Sequence, residues 1–311
     1  MNFIDLHCDT ALKLFSDRDA KLRENQFSVD IMKLKAGNAK AQFFALFLEK
    51  DQCGDLKNDC IDMYKRLVSE LDENKSDIAL VRNYDQYLRC QNENKLGAFI
   101  TIEEGGAIAG DINNLQEFYD MGIRLITLTW NFENEIGYPH CKKEYADKGL
   151  KPFGIEVVKK MNELGIIIDV SHLSDGGFFD VAKCSTKPFV ASHSNSRAIR
   201  NHTRNLTDEM IKILSTAGGV MGINFCSGFV GKSKTTKIDD MVEHINHIRK
   251  IGGIDCIALG SDFDGIENEV EIKDASEMGK LADALVKNNF SYDDVEKIFY
   301  KNAERIIREV L

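Results

Sequence analysis

The chain has 311 residues, 40 Lys+Arg against 50 Asp+Glu, a formal net charge of -10 at pH 7 and 43% hydrophobic residues, which is globular composition with ample length for a large core. The acidic balance and the lack of any sustained Lys/Arg stripe argue against nucleic acid and anionic membrane as partners. The longest apolar run, residues 43–48, is of strand length, far short of the roughly 18–20 residues that span a bilayer.

The first residues, MNFIDLHCDTALKLF, show no basic n-region, h-region or small-residue cleavage site, so no secretory signal is expected. The eight cysteines are scattered and form no CxxC pair. Reduced thiols in a cytoplasmic protein are the simpler expectation, several of them filling the core.

Short apolar runs recur along the chain at residues 3–7, 42–48, 97–102, 124–129, 166–170, 189–192, 220–225 and 257–260. Amphipathic, helix-period stretches lie between them at 55–73, 112–121, 153–164, 177–183, 208–215, 238–250 and 275–287. The tail, 292–310, reads as one long helix with Val295, Ile298, Phe299, Ile306 and Val310 near one face. No Pro/Gly/Ser linker or composition shift interrupts the series, so a single domain over 1–311 is expected. Buried strands alternating with helices predict an α/β fold, a (β/α)8 TIM barrel. A doubly wound open sheet is the competitor, but it often places a Gly-rich phosphate loop after the first strand, where this chain has His7-Cys8-Asp9.

In such a barrel the C-terminal strand ends converge on one mouth, where active sites are built. Here those ends carry His7-Cys8-Asp9, Glu103-Glu104-Gly105-Gly106, Asp169-Val170-Ser171-His172, Ser192-His193-Ser194 and Ser261-Asp262-Phe263-Asp264. His7 and Asp9 are two apart, so on an extended chain they share a side and Cys8 points away. Imidazole with carboxylate suits zinc or a similar divalent ion. His172 and His193 could hold a second ion, with a carboxylate of the Glu103-Glu104 pair between the two. Neighbours alternate, so only one of those glutamates should face the mouth.

Taken singly, each piece has a structural explanation: a rim histidine bonding loop backbone, or Asp262 capping a helix. Their joint placement on strand ends favours metal-dependent hydrolysis. His244 and His247 lie on one predicted helix away from those ends, and His140 with Cys141 has no spaced partner. No G-x-S-x-G elbow supports serine catalysis.

These residues resemble the membrane (renal-type) dipeptidases, zinc enzymes of the amidohydrolase-like barrels. The likeness runs through Ile4–Asp9, Glu104-Gly105-Gly106, Leu128-Thr129-Trp130, Asp169–His172, Ser192–Ser194, Arg204-Asn205 and Gly260–Gly265. It implies two zinc ions per chain, one on His7 and Asp9, the other on His172 and His193, with Glu104 bridging. It further implies Asp262 as the acid/base group and Arg204 as partner of the dipeptide's terminal carboxylate, a role suited to a bidentate fork.

Trp130 stands where renal-type members carry a histidine that contacts substrate, so substrate handling there is open to difference. The implied activity is hydrolysis of dipeptides, including those with a C-terminal D-residue, by a metal-bridging hydroxide. A small dipeptide is the expected partner and a homodimer the expected assembly; no secretion or lipid-anchor signal is seen, as in a soluble bacterial-type member. Trp130 keeps open a second enzyme reading, an N-acyl amino acid deacylase on the same metals. A barrel retained only for binding would have no chemical need for all five ligands.

Overall fold

The computed structural model describes residues 1–311 and turns each expected apolar run into a strand. In chain order these are β1 (Phe3–Cys8), β2 (Ala39–Phe47), β3 (Ile78–Leu80), β4 (Leu96–Glu103), β5 (Ile123–Thr127), β6 (Ile167–Asp169), β7 (Val190–Ala191), β8 (Val220–Ile223) and β9 (Ile257–Leu259). All pairings are parallel. β1 pairs with both β2 and β9, and β2 pairs directly with β4 over Ala41–Phe47. The sheet therefore closes as an eight-stranded (β/α)8 barrel, while β3 pairs only with β4 and stays outside the ring. This ninth strand escapes sequence patterning because three residues are too few to show a period.

Helices follow the strands where caps and periodicity foretell them. The helix Leu56–Glu73 begins at Asp55, whose carboxylate accepts from the N–H groups of Lys57 and Asn58. Ile112–Met121 begins at Asp111 and stops at Gly122, whose φ of 108° takes the left-handed turn that favours glycine. The helix Tyr84–Asn92, capped by Asn83, has no counterpart among the expected elements. The expected 275–287 helix is divided: a 3-10 turn at Ala275–Glu277 precedes the helix Gly279–Lys287.

The tail is helical from Tyr292 but widens into a π-helical turn at Lys297–Lys301 before Asn302–Val310. It lies across the N-terminal ends of the strands. Asn302 Nδ2 donates to the carbonyls of Ile254 and Ile257 beside β9. Arg305 reaches the Gly218 carbonyl before β8, and Lys187 before β7 donates to the Val310 carbonyl. Ala303, Ile306, Ile307 and Val310 join Ile4, Leu6, Phe43, Phe99, Leu125, Ile167, Val190, Val220 and Ala258 in one buried cluster. The tail thus plugs the bottom of the barrel and leaves polar groups to the top. A larger cluster, containing Phe44, Ile100, Ile102, Ile126, Ile168 and Met221, fills the space between strands and helices.

Ile306 is fully buried in the plug. Ile306→Ala should therefore lower unfolding stability by about 2–5 kcal/mol, and Ile306→Val by about 0.5–1.5 kcal/mol. Urea unfolding followed by circular dichroism measures both; a shift below 0.5 kcal/mol for Ile306→Ala would show that the tail does not close the barrel.

Candidate metal and active site

Four strand ends bring a carboxylate and three imidazoles together at the top of the barrel. Glu103 ends β4, and its two oxygens face different ways. Oε2 lies 3.2 Å from His7 Nε2, while Oε1 lies 3.1 Å from His172 Nε2 and 3.4 Å from His193 Nε2. His7 Nε2 is also 3.3 Å from Asp9 Oδ2 and 3.8 Å from Asp262 Oδ1. His172 Nε2 and His193 Nε2 stand 3.1 Å apart, and the His7 and His193 rings stack at 3.8 Å. All of these groups except Asp262 are buried. Cys8 faces the outer cluster, away from His7, although Leu6 two residues before it packs in the lumen, because the register of β1 against β2 shifts between Asp5 and Cys8.

Such crowding perturbs every group. Burial would discharge the His7 imidazole, but the Glu103 and Asp9 carboxylates outweigh it and hold the ring well above its ordinary pKa. Burial likewise opposes ionisation of Glu103, yet His7, His172 and His193 hold its carboxyl well below the usual range. Asp9 is pushed well up, by burial and by the neighbouring Glu103 charge. His172 is pushed down to about 3 by burial and by the Arg204 charge, and His193 is lowered by burial, His7 and Arg204.

The glutamate among the imidazoles is Glu103, which corrects the expectation of Glu104. The pleat decides it: Phe99 packs in the lumen while Ile100 and Ile102 pack outside, so counting by twos from Phe99 carries Glu103 inward. Glu104 has φ 100° and ψ 90°, a strained conformation for a non-glycine residue. Its Oε1 accepts from the Gly106 N–H (2.7 Å) and from Asn134 Nδ2 (2.5 Å), and its Oε2 from the Trp130 N–H (2.8 Å). Burial pushes its carboxyl up against those three donors. Glu104 therefore ties the loop after β5 to the end of β4.

Asp262 follows β9 with φ 63°, and its Oδ2 accepts from Asn224 Nδ2 at 2.9 Å. Arg204 is buried; Nη1 donates to Ser194 Oγ and Nη2 to the His193 carbonyl, while Nε has no partner. Trp130 packs edge-on to Phe47 at 4.8 Å and lies 5.3 Å from Phe132 and 6.1 Å from His172. A cavity of about 600 Å³ opens over the cluster, lined by Asp9, Glu103, His172 and Asp262 with Trp130, Phe47, Phe229 and Glu49.

The His140 ring packs 5.8 Å from that of His172, and the His140 backbone N–H donates to the His172 carbonyl; its loop position hid this, because no spacing links residues 140 and 172. His244 donates Nε2–H to the Val230 carbonyl and accepts from the Ser196 N–H, and His247 pairs with Asp208. Both do structural work away from the mouth.

The donor set fits a divalent ion. His7, Glu103 and His193 bring ligand atoms within 4.8 Å of one another, as do His7, Asp9 and Asp262. His7 Nδ1 and Asp9 Oδ1 are buried without a hydrogen-bond partner, and His7 Nε2 makes no aligned hydrogen bond to either nearby carboxylate. Orphaned buried groups of this kind are costly unless something pairs with them, and imidazole with carboxylate is a zinc-type set.

The profile of the membrane dipeptidase family (peptidase family M19) matches residues 1–311. An uncharacterized dipeptidase of Schizosaccharomyces pombe is 30% identical over 297 residues, covering 89% of this chain and 71% of that one. An uncharacterized protein from the pqqA 5' region of Klebsiella pneumoniae is 34% identical over 232 residues, covering 71% and 85%. A Rhodobacter sphaeroides metallopeptidase, solved with a phosphinate mimic of L-Ala-D-Ala, superposes with a TM-score of 0.93 at 22% identity, covering 100% and 99%.

The two adjacent glutamates should separate cleanly. Glu103→Gln is expected to lose divalent metal on dialysis, read by elemental analysis. Glu104→Gln should keep its metal and instead lose about 1–3 kcal/mol of stability, the effect of disrupting a buried hydrogen-bonded carboxylate. The reverse pattern would return the metal role to Glu104.

Proposed function

The chain belongs to the membrane dipeptidase family, and from that premise we propose that it hydrolyses the peptide bond of dipeptides with two divalent metal ions, zinc first among them. The observation that carries the reading is Glu103 standing between two ligand pairs, one oxygen toward His7 and the other toward His172 and His193. In this reading His7 and Asp9 would hold one ion and His172 and His193 the other, with Glu103 available to either pair. When bound, such ions supply Lewis-acid polarisation of the scissile carbonyl and a lowered pKa for water.

The chain's own residues do the rest. In this reading Arg204 binds the terminal carboxylate of the substrate, its buried guanidinium fixed in place by Ser194 and the His193 carbonyl. Asp262 takes a proton from the attacking water and passes it to the leaving amine. Asn224 holds Asp262 Oδ2, leaving Oδ1 on the His7 side. Trp130 and Phe47 form an apolar wall beside the cluster, which orients the substrate's side chains and limits water.

We also propose that a C-terminal D-residue is accepted. Support comes from the L-Ala-D-Ala mimic bound by the metallopeptidase of the same fold.

A panel of L-Ala-D-Ala, L-Ala-L-Ala, a tripeptide and an N-acetyl amino acid tests the reading. Dipeptides alone should be cleaved, with activity lost on chelation and restored by zinc; cleavage of the N-acetyl compound alone would make the protein a deacylase. Asp262→Asn should retain metal while kcat falls by roughly 10²–10⁴. Arg204→Lys should chiefly raise KM, since a point charge replaces a fork; an unchanged KM would remove Arg204 from the substrate site.

A further inference from the structure

Behind His193 lies a buried chain of groups that the reaction does not use. Asp169, the last residue of β6, accepts four hydrogen bonds. Oδ1 receives the N–H groups of Ser171 (3.0 Å) and Ser192 (2.8 Å); Oδ2 receives Thr127 Oγ1 (2.7 Å) and Ser192 Oγ (2.6 Å). Ser192 Oγ in turn lies 2.7 Å from His193 Nδ1. Asp169 and Ser192 are both buried.

The proton arrangement is forced by counting donors. A carboxylate whose acceptor positions are all taken by four donors has no proton to give. Ser192 has one hydroxyl proton, and the 2.6 Å approach to Asp169 requires it there, since two bare oxygens at that distance would repel. Ser192 Oγ can then only accept from the ring, so His193 must carry its proton on Nδ1.

We infer that Ser192, held by Asp169, is a positioning residue that locks His193 as the Nδ1–H tautomer and so turns the bare Nε2 toward Glu103 and His172. A hydrogen bond on the far ring nitrogen generally orients a metal-binding histidine and raises its basicity. That consequence rests on the metal reading of His193 given above, whereas the tautomer itself does not.

The molecule contains its own control. Asp5 clamps Ser261 in the same two-pronged way, Oδ1 to the N–H at 2.8 Å and Oδ2 to Oγ at 2.6 Å, but Ser261 Oγ contacts no imidazole. Removing that hydroxyl removes an equivalent clamp and leaves His193 alone.

The test is long-range ¹H–¹⁵N NMR on protein with ¹⁵N-labelled histidine, stripped of metal and then titrated with zinc. Wild-type and Ser261→Ala should show His193 protonated at Nδ1 only. Ser192→Ala should show a tautomer mixture and a zinc Kd raised at least tenfold, within the range for loss of such outer partners. Ser192→Thr, which keeps the hydroxyl, should restore both. Asp169→Asn serves as a second variant should Ser192→Ala fail to fold, and the same mixture is expected.

A wild-type His193 protonated at Nε2, or an Nδ1–H tautomer unchanged in Ser192→Ala and Asp169→Asn, overturns the inference. The outcomes separate from those of the function: a protein that cleaves no dipeptide can still show the locked tautomer, and an active dipeptidase can lack it.

Discussion

The structure is organised around a carboxylate that water barely reaches. Glu103 is buried against three imidazoles, and neither an isolated charge nor a loosely placed pair survives such a setting without close compensation. The surroundings must therefore hold charges and rings to within fractions of an ångström while keeping solvent away. A closed parallel barrel can do this, because every strand is braced on both sides and the ends converge. His172, Asp262 and Asp264 all take positive φ just after strands, and Glu104 does so between strand and turn. Backbone strain of this kind, on the order of 1–3 kcal/mol per residue, persists where the scaffold over-determines it.

Much of this was legible in the sequence. The eight ring strands lie within the apolar runs or a few residues of them, since a strand buried on both faces advertises itself as a continuous apolar stretch. His7, Asp9, His172 and His193 were visible because each lies at the end of such a run or within two residues of it. What resisted reading was orientation. Matching Glu104-Gly105-Gly106 as a motif pointed to the wrong neighbour, whereas the pleat counted from Phe99 points to Glu103. Motifs report letters, and a strand reports sides. Likewise His140 reaches His172 through a loop, where no period applies, and the π-helical turn at Lys297–Lys301 leaves no mark in composition.

The two ends of the barrel divide the labour. At the bottom, aliphatic and aromatic side chains pack against the terminal helix. At the top, the lumen positions change to Thr127, Asp169 and Ser192, which bond one another, so polar matter enters the lumen already satisfied. The same lumen thus grades from hydrocarbon to a hydrogen-bonded lattice within the length of a strand, and the metal-type ligands stand at its upper edge, His7 and Glu103 on strands and Asp9, His172 and His193 in the first residues after them.

The closure of the ring also dictates when the protein can fold in a cell. Asp5 of β1 pairs with Leu259 of β9, and the plug that seals the bottom is the last helix, ending at Val310. At a translation rate of roughly 5–20 residues per second, the first strand waits on the order of 10–50 s for its second neighbour. During that interval Ile4 and Leu6 have no ring to line, and β1 presents an open edge on the side that β9 will take. The site on β1, β4, β6, β7 and β9 accordingly comes into being only once β9 is in place.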